Sequence, residues 1–194
     1  MAALGARERL AMVTHSRLQS SSLRDTLTED MHEHGAPEPI SAAEYRARLR
    51  RTRRIARRLG LAGRVEYRHV YSRSGGAQFC IGPSIDDDLL VVYAEAFARD
   101  AAPDDFSLEA IIAHECGHQK LIRSPHLRKV LAKFPGAPFE EILASLVGSL
   151  LLGESESAPM LVWKATAELG ELNLTAANTV HFVERLRRLL RHFL

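Results

Sequence analysis

The sequence predicts an α+β fold: one small, mostly antiparallel sheet, followed by a long helix with a polar centre and several C-terminal helices. Two observations carry that prediction. Three β-rich runs cluster between residues 64 and 94, and from Ser107 onward every segment has helical periodicity. A hydrophobic content of 46% in 194 residues suffices for the core this arrangement needs.

Residues 1–40 mix Ser, Asp, Glu, His and Pro, with no sustained pattern beyond a short helical stretch near 7–18. They read as an arm, partly disordered, ahead of a single domain over 41–194. His32 and His34 in the arm lack a partner and read as incidental. Ser41-Ala-Ala-Glu44 has capping-box spacing and opens a helix that Gly60 and Gly63 stop, with Tyr45, Leu49, Thr52, Ala56 and Leu59 along one face.

"RVEYRHVYS" (64–72) then alternates as a strand does, "SGG" offers a turn, and "AQFCIG" (77–82) returns. "PSIDDD" reads as a turn before "LLVVYA" (89–94), a third strand with an edge that an extended peptide could pair with.

Ser107 is a good N-cap for a helix reaching Arg123, where Ser124-Pro125 ends it. A short helix over 126–133 follows. Pro138 starts another, whose apolar face holds Phe139, Ile142, Leu143, Leu146 and Leu150 up to Gly153. Helices near 157–169 and 175–193 complete the chain; the last aligns Val183, Leu186, Leu190 and Phe193 and reads as packed on the core.

The polar centre of the Ser107 helix is "HECGH", residues 114–118. Positions four apart lie about one turn apart on one helix face, so His114 and His118 can converge on one ion. Glu115 projects to the side of that face, within reach of a water that the ion polarises. Two nitrogens to hold zinc and a carboxylate to take a proton is the chemistry this spacing serves. Two histidines and a glutamate in an otherwise apolar helix would also be costly to bury without a partner. Cys116 faces the other way and reads as a small buried apolar residue, while Gly117 allows close packing.

A catalytic zinc usually takes a third protein ligand. Six residues past His118 stands Ser124 in place of a histidine, and His126 comes two residues too late. "EEILAS" (140–145) offers Glu141 with the small Ala144 one turn on, like the Glu-x-x-Ala element of zincins whose third ligand is a glutamate on the next long helix. Glu140, about 100° around that helix, is expected to face solvent.

Taken together, "IIAHECGH", a 22-residue spacer and "EEILASLVGSLLLG" resemble the ImmA/IrrE family of zinc metallopeptidases, over about residues 41–153. Ser145 departs from that pattern, which more often has Asn or Asp there. The resemblance implies a zincin-like, gluzincin-type fold, Zn2+ held by His114, His118 and Glu141, and Glu115 as the catalytic base. It also implies a cytoplasmic endopeptidase acting on a regulatory protein such as a DNA-binding repressor. Tyr71, Tyr93 and His181 are possible oxyanion stabilisers, but sequence alone assigns none of them that role.

Net charge is only +2, yet residues 44–58 carry eight arginines against one glutamate. That segment reads first as a solvated helix face and, as a rival, as a nucleic-acid contact. A further rival for the whole chain is a non-catalytic zinc-containing regulatory protein. Two cysteines make no disulfide framework and suit a reducing compartment. The charged N-terminus lacks the apolar stretch of a secretory signal, and the longest uncharged apolar run, 142–153, is too short for a membrane span. A soluble cytoplasmic protein is the expectation.

Overall fold

The computed structural model describes residues 36–72, 74–134, 136–171 and 176–194. The expected helix of the arm, and His32 and His34, lie outside them. The fold is α+β, as expected. Helix α1 (Ala42–Arg58) is capped by Ser41, whose side chain accepts the Glu44 N–H at 3.1 Å. The capping box is only half made, because Glu44 turns to Arg48 (2.7 Å) instead of back to the cap. Thr52, Ile55, Ala56 and Leu59 form its buried side.

Strands β1 (Arg64–Arg68), β2 (Ala77–Cys80) and β3 (Leu89–Tyr93) form one mixed sheet in the order β1-β3-β2. β3 pairs antiparallel with β2 (Ala77 opposite Val92) and parallel with β1 (Arg64 opposite Leu89). The sheet is therefore half antiparallel, and the hairpin expected between the first two runs does not form. All five residues of β3 are buried, which fits a central strand flanked on both sides. Among the described residues, the outer strands of the sheet are β1 and β2, not the 89–94 strand.

Helix α2 (Ala94–Asp100) continues straight from β3 and was not anticipated; Tyr93 stands at its N-cap without a capping side chain. Helix α3 (Leu108–Arg123) begins at Ser107, which accepts the Ala110 N–H at 3.1 Å. Then come α4 (Pro125–Leu131), α5 (Ala137–Leu152), α6 (Ala158–Gly170) and α7 (Ala176–Arg191). Val183, Leu186 and Leu190 of α7 are buried as expected, but Phe193, beyond the helix, is exposed. Among the described residues, no helix is long and apolar enough to cross a membrane.

One core cluster joins α1, the sheet and the first half of α3; another joins the second half of α3 to α4, α5, α6 and α7. A polar hub pins the C-terminal end of α3 to the loop before β3. Asp88, 1% exposed, accepts from Arg123 (2.5 and 3.0 Å), from Gln119 (2.8 Å) and from the Gly82 N–H (2.9 Å). Gln119 also donates to the Ala62 carbonyl and accepts the Ala62 N–H. Burial pushes the Asp88 carboxyl up, but the Arg123 guanidinium and the two N–H donors outweigh it and hold it below its ordinary value.

Candidate metal centre

The site stands where α3 and α5 touch backbone to backbone. A Cβ on Gly117 would lie 2.1 Å from the Ala144 carbonyl oxygen, and one on Gly148 would lie 2.6 Å from that of Ala113. Glycine faces alanine in both directions along the contact, so the helices approach more closely than larger side chains permit. This brings the first turn of α5, with Glu140 and Glu141, against the His114–His118 face of α3.

Three side-chain atoms meet there. His114 Nε2 is 3.3 Å from His118 Nε2 and 3.0 Å from Glu141 Oε2, while His118 Nε2 is 3.5 Å from the same oxygen. Ligands at 2.0–2.1 Å from a tetrahedral zinc stand about 3.3 Å apart, so the triangle has the dimensions of one face of such a site. The imidazoles cross nearly at right angles (87°), both turning Nε2 toward the common point. Side-chain exposure is 12% for His114 and 7% for His118 against 35% for Glu141, which leaves the carboxylate on the solvent side.

The outer nitrogens are engaged as well. His118 Nδ1 lies 3.2 Å from Glu140 Oε1; a carboxylate accepts, so the ring proton belongs on Nδ1 and the Nε2 lone pair faces inward. His114 Nδ1 lies 3.0 Å from Ser145 Oγ, and Lys164 Nζ lies 3.5 Å from that hydroxyl while pairing with Glu168 at 2.6 Å. Carboxylates and hydroxyls behind metal-binding histidines fix the tautomer and orient the ring.

Two inward lone pairs beside a carboxylate repel one another unless a cation sits among them. The crowding of these groups shifts their titration. Burial pushes the His118 imidazole down, yet the bonds to Glu140 and Glu141 and the charge of Glu115 together raise it from 6.5 to about 9. The bonds to His114 and His118 drive Glu141 far below the usual carboxylate range, against its burial.

Among the expected site residues, His114, His118 and Glu141 form one group able to hold a metal ion. Glu115, next to His114, is partly exposed and close enough for its charge to act on His118. The expectation for Glu140 is corrected: its side chain, 19% exposed, is better covered than that of Glu141 and backs His118 instead of facing solvent. One residue's turn around the helix did not carry it off the site, because a glutamate is long enough to reach the flank of the ring. Lys164 is the other neighbour missed, since nothing in the local sequence of α6 points to α3.

The remaining polar residues singled out by the sequence have other surroundings. Ser124 caps α4 by accepting the Leu127 N–H, and His126 stacks on Phe193 with ring centroids 5.9 Å apart. Cys116 is fully buried, and desolvation raises its thiol to about 12, so it stays a neutral thiol. Tyr93 donates to Gln78 at 3.3 Å within the sheet, and His181 is exposed on α7.

Fold and site together define an α+β protein in which two helices converge two imidazoles and a carboxylate on one point. Comparisons with protein-family models, with curated proteins and with solved structures find no match to this chain.

Proposed function

We propose that this protein is a zinc-dependent endopeptidase of the cytoplasm that hydrolyses peptide bonds in a regulatory protein, such as a transcriptional repressor. The observation that carries the reading is the His114–His118–Glu141 triangle, with edges of 3.0 to 3.5 Å and both histidine rings held from behind. Zinc bound there supplies Lewis acidity and lowers the pKa of a water.

The chain's own residues do the rest. Glu140 accepts the Nδ1 proton of His118, and Ser145 holds the His114 ring at its Nδ1, which leaves both Nε2 atoms turned toward the site as ligands. Glu115 takes the proton of the attacking water and returns it to the leaving amine nitrogen as the C–N bond breaks. The outer edge of β2, which packs beside α3, is the place for an extended substrate to pair by its backbone.

A purely structural zinc site is usually closed by four protein ligands. The group among the described residues has three, with Glu115 beside them, which favours the catalytic reading over the non-catalytic one. The test is a search for new protein N-termini after adding the zinc-loaded enzyme to extract of its own cells. Wild type is expected to create a small set of cleavages that zinc-loaded Glu115→Gln does not; equal cleavage by both removes Glu115 as the base.

A further inference from the structure

Five arginines of α1 share one feature that the metal centre does not explain. Arg46, Arg50, Arg53, Arg54 and Arg57 are exposed, and among the described residues none has a carboxylate partner within ion-pair distance. Arg53 reaches only the Val65 carbonyl, at 3.4 Å. Their spacing of i, i+4, i+7, i+8 and i+11 confines them to a stripe roughly 100° wide and about 17 Å long, at 100° and 1.5 Å per residue.

The other arginines of the helix differ. Arg51 pairs with Asp100 and Arg58 with Glu109 along one side of the stripe, while Arg48, on the opposite and better covered side, pairs with Glu44. The carboxylates that pair with α1 are thus all used off the stripe, and Thr52, Ile55, Ala56 and Leu59 on its far side are buried in the core.

We propose that this stripe is a docking surface for the phosphate backbone of nucleic acid, separate from the metal centre. Charge complementarity selects the occupant. Planar guanidinium groups suit bidentate bonding to phosphate oxygens, and five along about 17 Å match a polyanion over roughly half of a 34–36 Å duplex turn. The apolar side of α1 is committed to the core, which leaves no hydrophobic face beside the stripe to enter a bilayer. Outside residues 44–58 the chain is net acidic, so repulsion elsewhere orients the duplex onto α1. Contacts of this kind position without reading bases, so the binding is independent of sequence.

Fluorescence anisotropy of a labelled two-turn DNA duplex, titrated with the full-length protein, tests it. With a slope near −0.9 per phosphate contacted, five contacts weaken binding roughly 500-fold between 50 and 200 mM salt. A variant with all five arginines changed to Gln is expected to lose at least about tenfold in affinity at the lower salt, whereas the paired control Arg51→Gln/Arg58→Gln stays near wild type. Circular dichroism checks that each variant is folded; should the fivefold variant not fold, single Arg50→Gln and Arg54→Gln changes are each expected to reduce the salt slope by about one. No binding at 50 mM salt, binding that ignores salt or these substitutions, or binding to phosphatidylserine vesicles but not to duplex overturns the proposal.

Discussion

At the C-terminal end of α3, Gln119 and Arg123 surround Asp88; a turn earlier on the same helix, His114 and His118 face Glu141. Both clusters are polar groups set into a packed interior, and they are built in opposite ways. Around Asp88, donors meet acceptors: a guanidinium, an amide and a backbone N–H point at the two carboxylate oxygens. Around Glu141, two Nε2 atoms and a carboxylate oxygen stand 3.0 to 3.5 Å apart, an arrangement that takes a positive charge at its centre. The first cluster is complete within the chain and holds a loop to a helix. The second turns three potential ligand atoms toward one point, and that makes it a candidate metal site instead of a structural tie.

Substitutions separate the two. Asp88→Ala strands Arg123 and Gln119 and is expected to cost about 3 kcal/mol, the lower end for a broken buried pair because Arg123 is partly exposed. Urea unfolding checks the loss, and the fraction that remains folded should bind zinc with wild-type affinity. Gly117→Ala drives a methyl against the Ala144 carbonyl and should cost roughly 1–3 kcal/mol as the helices part. Unlike Asp88→Ala, it should also weaken zinc binding, which competition with a chromogenic chelator measures.

Glu140→Gln keeps the shape of the side chain but removes the charge behind His118. Zinc affinity should fall roughly 10–100-fold with little change in unfolding. An unchanged affinity would return Glu140 to the solvent-facing role expected from its helical position.

The smallest effect is that of acid. Asp88 titrates below its ordinary value of 3.8 in the folded protein, so its stabilisation is fully present above about pH 4 and is lost as pH falls through the folded value. Unfolding followed down to that range should show a steeper decline for wild type than for Asp88→Ala.

Much of this contrast was legible in the sequence, unevenly. Ser41, Ser107 and Pro138 marked the starts of three helices because capping is a local matter. His114, His118 and Glu141 were legible because helical spacing and a small-residue contact suffice to place them. Strand pairing was not: a turn-rich "SGG" suggests a local hairpin, while the placing of β3 between β1 and β2 depends on which run is buried on both faces. The continuous "LLVVY" was the available signal. α2 escaped notice because no turn residue separates it from β3. Asp88 looked like one of three turn aspartates, and its partners, Gln119 and Arg123, lie more than 30 residues away.

The most direct test of the zinc site is the metal content of purified protein beside its Glu141→Ala variant, each measured after equilibration with limiting zinc. Wild type is predicted to hold close to one zinc per chain, and the variant, left with two imidazoles, to hold much less. No zinc in wild type, or equal zinc in both, would contradict the triangle as the metal site.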